Sequence, residues 1–128
     1  MTDRELALRA EIMRSFAATG APPDVELSAE LRALVDGHVV VLDGAGRIVM
    51  AHPFAAHRQG ARVDAGGRTW WGSCAWDGLG IVAALELGDA TVAAQAVTLR
   101  VRDGEVSGEA VFHVAVPARH WWDDIAHT

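Results

Sequence analysis

The chain has 128 residues, 51% of them hydrophobic and 22% charged. This length can bury one core without a disulfide or structural metal, and the balance excludes a largely disordered chain. The net charge is −6 and the basic residues are scattered single arginines, so no stripe is present that could neutralise a row of phosphates and nucleic acid is not an expected partner. Residues 1–20 contain no uninterrupted apolar run of the kind a signal peptide or membrane span needs, so a cytoplasmic protein without membrane attachment is expected. Cys74 is the only cysteine, which precludes an internal disulfide and suits a reducing compartment. Nothing in these features specifies an oligomeric state.

In residues 4–18 the positions of Leu6, Leu8, Ile12, Met13 and Phe16 predict an amphipathic helix, stopped by Gly20, Pro22 and Pro23. A short second helix is expected over residues 28–35, with Ser28 as N-cap and Gly37 ending it. From His38 the run Val39-Val40-Val41-Leu42, the turn Asp43-Gly44-Ala45-Gly46 and the run Ile48-Val49-Met50 predict a hairpin. Two helices and a hairpin match part of a winged helix. The acidic N-terminal third lacks the basic recognition surface such a domain needs for DNA, so residues 1–55 are expected to form a structural cap.

Residues 56–128 are expected to form the core of the same compact domain. Ala65-Gly66-Gly67 predicts a hairpin turn between residues 61–63 and 68–71. Residues 75–87 carry Trp76, Leu79, Ile81, Val82 and Leu85 as a short buried helix, although Gly78 and Gly80 weaken its intrinsic propensity. Residues 91–101 and 105–116 are β-rich runs around the turn Arg102-Asp103-Gly104, and Pro117 opens a terminal segment containing Trp121-Trp122-Asp123-Asp124-Ile125. The expected fold class is α+β, with N-terminal helices and hairpin packed on a mostly antiparallel β core with short helices.

Cys74 falls between a predicted strand and a predicted helix, where unpaired backbone N–H groups and the positive end of the helix dipole favour a thiolate. Asp77 follows at a spacing of three, which on a first helical turn puts carboxyl and sulfur on one face. The same two residues also fit a plainer role, a small buried cysteine and an acid that complements the helix dipole. Trp71, Trp76, Trp121 and Trp122 are candidates to wall an apolar pocket, although one tryptophan of each adjacent pair also suits the core. His52, His57 and His113 lack metal-site spacing, so no structural zinc is expected.

The segment Trp70-Trp71-Gly72-Ser73-Cys74-Ala75-Trp76-Asp77-Gly78-Leu79-Gly80-Ile81 resembles the active-site segment of the organomercurial (alkylmercury) lyase family. Gly46-Arg47-Ile48-Val49-Met50-Ala51-His52-Pro53-Phe54 upstream and residues 116–125 downstream extend the similarity. The resemblance implies an alkylmercury-lyase-like fold and protonolytic cleavage of a carbon–mercury bond. Cys74 would be the thiolate that holds mercury, and Asp77 would relay a proton to the leaving carbon. Mercury would be substrate and product, and no organic cofactor is implied. The family's pattern has a second catalytic cysteine just beyond the Trp-Trp-Asp-Asp-Ile stretch, whereas this sequence runs to His127-Thr128 without one. A small thiol as co-substrate, or a terminal histidine such as His120 or His127 as mercury ligand, are the expected substitutes. The alternatives are non-catalytic capture of Hg(II), copper or another thiophilic ligand on Cys74, or recruitment of the fold to different small-molecule chemistry.

Overall fold

The computed structural model describes residues 1–111, 116–123 and 125. Helix α1, Asp3–Thr19, opens with a capping box in which the Thr2 hydroxyl accepts from the Glu5 N–H and the Glu5 carboxylate accepts from the Thr2 N–H. It ends at Gly20, whose φ of 74° places its N–H on the Phe16 carbonyl. Helix α2, Ala29–Asp36, is capped by Ser28 as expected, the hydroxyl accepting from the Leu31 N–H at 3.1 Å. The left-handed residue that closes α2 is His38, at φ 58°, rather than Gly37.

The predicted first hairpin is present as β1, Val40–Leu42, and β2, Ile48–Ala51. Its turn is organised by Asp43, whose carboxylate accepts from the backbone N–H groups of Ala45 and Arg47 and pairs with the Arg47 guanidinium at 2.9 Å. The Arg47 backbone N–H, with its guanidinium and the Ala45 N–H, holds this carboxyl below the usual aspartate range. A two-residue strand β3, Phe54–Ala55, adds to β2 and makes a three-stranded antiparallel sheet.

The second sheet has five antiparallel strands in the order β5-β4-β6-β7-β8, namely β4 Ala61–Ala65, β5 Arg68–Gly72, β6 Ala90–Ala94, β7 Val97–Arg102 and β8 Glu105–Ser107. Gly66 and Gly67 form the β4–β5 turn and Asp103 with Gly104 the β7–β8 turn, all four at positive φ as tight hairpin loops require. Helix α3, Ala75–Ala84, connects β5 to β6 and packs on β4, β5 and β6. Ala61, Val63, Trp70, Val92, Leu99 and Val101 alternate onto the buried face of this sheet. The opposite face carries Arg62, Asp64 and Thr69, linked through the Asp64 carboxylate.

Three sequence expectations are corrected. The run 91–101 is two strands, because Gln95 adopts φ 50° and reverses the chain; no glycine marks the turn. The run predicted over 105–116 leaves the sheet after Ser107, where Gly108 takes φ 130°, and residues 112–115 of it lie outside the described residues. Helix α3 stops at Ala84 instead of residue 87, because Glu86 at φ 52° cannot continue a right-handed helix.

The helical cap docks through the end of α1. That helix has no basic residue in its last turn. Arg68 of β5 supplies the cation, donating to the Ala17 and Ala18 carbonyls at 2.7 and 3.0 Å, and the Trp70 indole N–H donates to Ala17 at 3.0 Å. Phe16 stacks on Phe54 with ring centroids 5.5 Å apart. Ile12, Phe16, Leu31 and Leu34 thereby join Trp70, Ile81 and Val92 in one continuous buried cluster. No described helix is long and apolar enough to cross a membrane.

The glycines that weaken α3 as an isolated helix serve its packing. A Cβ on Gly78 would lie 2.5 Å from Val92 Cγ1 and 3.2 Å from Ala61 Cβ, so glycine sets how closely α3 approaches the sheet. Gly78→Ala gains about 1 kcal/mol of helix propensity but overpacks a filled contact, which typically costs about 1–3 kcal/mol. Urea denaturation is expected to show net destabilisation, partly relieved by Val92→Ala. Gly88→Ala, where nothing lies within 4 Å, is expected to be neutral or slightly stabilising.

Candidate active site

Cys74 occupies the N-cap of α3, in extended conformation at φ −149°, and its side chain makes no capping hydrogen bond. It is exposed, at the strand-to-helix junction expected from sequence. A cysteine is a poor cap because its sulfur is a weak acceptor, so the thiol stays free for chemistry while the helix's first N–H groups point towards it. Asp77, in the first turn, turns its carboxylate back to accept from the Ser73 N–H at 3.2 Å. That bond fixes the carboxyl beside the residue preceding the cysteine, with the Asp77 side chain only 17% exposed. The Ser73 hydroxyl donates to the Met50 sulfur at 3.6 Å, tying the junction to β2.

Close backbone approach holds this arrangement. A Cβ on Gly72 would stand 2.8 Å from Asp77 Cβ, and one on Gly60 would stand 2.1 Å from the Gly72 carbonyl oxygen. A Cβ on Gly80, one turn beyond Asp77, would stand 3.2 Å from Pro53 Cβ. The contact at Gly80 brings the corner between β2 and β3 against α3 and sets His52 Nδ1 3.9 Å from Asp77 Oδ2. Sequence reasoning treated His52 only as a non-ligand; its neighbourhood depends on strand pairing that local spacing does not encode.

The four candidate pocket tryptophans occupy different positions relative to Cys74. Gly72 faces Asp77, so Trp71, its neighbour along β5, projects from the opposite face of the sheet. Its partner Trp70 is core, 2% exposed. Trp76, in the first turn of α3, is 66% exposed next to the cysteine. A 3-10 helix, Ala118–Asp123, carries Trp121 and Trp122. Trp122 reaches the site's margin, stacked on His38 at 4.1 Å and edge-on to His52 at 5.8 Å, while the Trp121 indole donates to the Val116 carbonyl. His120 pairs with Asp123 at 3.0 Å; His127 lies outside the described residues, as does His113.

Among the described residues no cluster of His, Cys, Asp and Glu could hold a metal ion by itself. A surface hollow of about 410 Å³ lies beside the starts of α1 and α2, and a second hollow lies along the same helices. Cys74 and Asp77 line neither of these two hollows.

An exposed thiol on a helix N-terminus with a fixed carboxyl one turn away can bind a thiophilic centre and pass it a proton. Residues 54–128, more than half of the chain and including all of this junction, match the alkylmercury lyase (MerB) family. The chain belongs to the alkylmercury lyase family. Its fold is similar to that of the crystal structure of the mercury-bound form of MerB2, with a TM-score of 0.65 at 17% identity over 84% of this chain. The chain spans 60% of the length of that structure. Among curated proteins no sequence match is found.

The exposure of Cys74 makes a direct prediction. In buffer without denaturant, a chromogenic disulfide reagent is expected to titrate one thiol per chain in a single fast phase. Reaction only after unfolding would show the sulfur to be enclosed.

Proposed function

We propose that this chain binds an organomercurial R–Hg–X through Cys74 and cleaves its carbon–mercury bond, with Asp77 delivering the proton that converts the leaving group to a hydrocarbon. The observation that carries this reading is the uncapped, exposed Cys74 with the Asp77 carboxyl anchored one turn along the same helix, inside the segment that matches the family. Mercury is soft and prefers thiolate to oxygen or nitrogen, so Cys74 is the natural first ligand. Thiolate donation makes the mercury-bound carbon more basic, and a nearby carboxylic acid is then a competent general acid. The mercury-bound relative of similar fold supports the same class of ligand.

The chain has one cysteine, so the second sulfur donor in this account is a small thiol as co-substrate. It loads further charge onto carbon and carries Hg(II) away. His127 stays a low-ranking alternative donor because imidazole is the harder ligand. The lone cysteine also supports a second reading, capture of Hg(II), copper or another thiophilic ligand without turnover.

Mass spectrometry of the protein with phenylmercuric acetate, read in parallel with headspace detection of benzene, separates the two. A phenylmercury adduct on Cys74 is expected, with benzene release that rises with added monothiol. Cys74→Ser is expected to abolish the adduct, and Asp77→Ala to keep it while slowing release by about 10²–10⁴-fold. An adduct without benzene at any thiol concentration would establish capture alone.

A further inference from the structure

We propose that His52 is the positioning residue of the acid: its imidazolium holds, at Nδ1, the proton that Asp77 passes to the leaving carbon. This rests on the roles proposed above for Cys74 and Asp77.

The need arises from the geometry of Asp77. Its Oδ2 accepts from the Ser73 N–H, which leaves that oxygen a second lone pair for a further donor, and a general acid must regain the proton it gives. His52 Nδ1 stands 3.9 Å from the same Oδ2, a gap that a small side-chain movement closes to a hydrogen bond. The other ring nitrogen, Nε2, is buried and has no hydrogen-bond partner among the described residues, and Trp122 lies edge-on to the ring. Nδ1 is therefore the nitrogen through which the ring exchanges a proton, and it looks towards Asp77. The corner that bears His52 is pressed on α3 by the contact of Pro53 with Gly80, so the pairing is built into the packing.

Among the described residues, Asp77 is the acid paired with His52. Asp77 faces it from α3, and His38 is stacked on Trp122. In the 3-10 helix, Asp123 pairs with His120 at 3.0 Å.

The proton account balances. When Cys74–SH displaces X⁻ from R–Hg–X, the S–Hg bond forms, the S–H bond breaks, and the thiol proton passes through Asp77 to His52. In the cleavage step the Hg–C bond breaks with its electron pair on carbon. The small thiol named above is already bound to mercury as its thiolate when carbon takes a proton from Asp77 and Asp77 regains one from His52 Nδ1, so the products are R–H, neutral His52 and Cys74–S–Hg–S–R′, where R′ is the thiol's organic group. A second small thiolate then displaces the Cys74 thiolate from mercury and carries Hg(II) away.

The test uses the 128-residue protein with phenylmercuric acetate and excess monothiol, following benzene release in a single turnover. His52→Gln is expected to form the Cys74 adduct normally and to release benzene about 10- to 100-fold more slowly. Free imidazole is expected to restore part of the rate to His52→Gly, a rescue that a merely structural role would not produce. A wild-type rate in His52→Gln, or no imidazole rescue of His52→Gly, beside an impaired Asp77→Ala, would overturn the His52 assignment alone. Full activity in Asp77→Ala, or no benzene from the wild-type adduct, would overturn the underlying reading and this proposal with it.

Discussion

The absence of side chains at four backbone positions is the constraint on which the rest of this structure depends. Gly60 and Gly72 let the loop before β4 pass against the end of β5, Gly78 lets α3 settle onto Val92 and Ala61, and Gly80 admits Pro53. A Cβ at Gly60, Gly72 or Gly78 would stand 2.1 to 2.8 Å from its neighbour, closer than real Cβ atoms approach, and one at Gly80 would make a tight 3.2 Å contact with Pro53. Helix propensity argues against glycine in α3 by about 1 kcal/mol at each position. Packing overrides it, because a helix held further from the sheet would lose both the buried contact and the placement of its first turn.

The chemistry follows from that placement. The strand-to-helix junction projects Cys74 outward, since the residue at an N-cap is extended and its side chain leaves the helix axis. Asp77 is pulled the other way, towards the Ser73 N–H and the His52 corner. One short segment therefore separates an exposed thiol from a partly enclosed carboxyl while keeping both within one helical turn. The N-terminal cap contributes indirectly: Arg68 and Trp70 hold the end of α1 on β5, and β5 ends at Gly72 beneath the acid.

Much of this was legible in sequence for local reasons. The three helices, the Ser28 cap, the Gly66-Gly67 turn and the Asp103-Gly104 turn are each signalled by residues whose conformational preferences dominate locally. The family and the position of Cys74 at a strand-to-helix junction were legible from residues 70–81. The split of residues 91–101 was not, because Gln95 takes a left-handed conformation that its side chain does not advertise. The pairing of His52 with Asp77 was hidden too, as it joins positions 25 apart through strand register and the Gly80 contact. The alternation of Trp70 and Trp71 across the sheet explains why one tryptophan is core and the other faces away from the helix.

The central claim is that Cys74 and Asp77 act on one ligand from the first turn of α3. A crystal structure of the protein soaked with methylmercury measures this most directly. The account predicts mercury bonded to Cys74 Sγ, with the methyl carbon directed at the Asp77 carboxyl at near-contact distance, about 3–3.5 Å. Mercury on Cys74 with its methyl group turned to solvent away from Asp77, or mercury bound elsewhere with Cys74 unmodified, would contradict it.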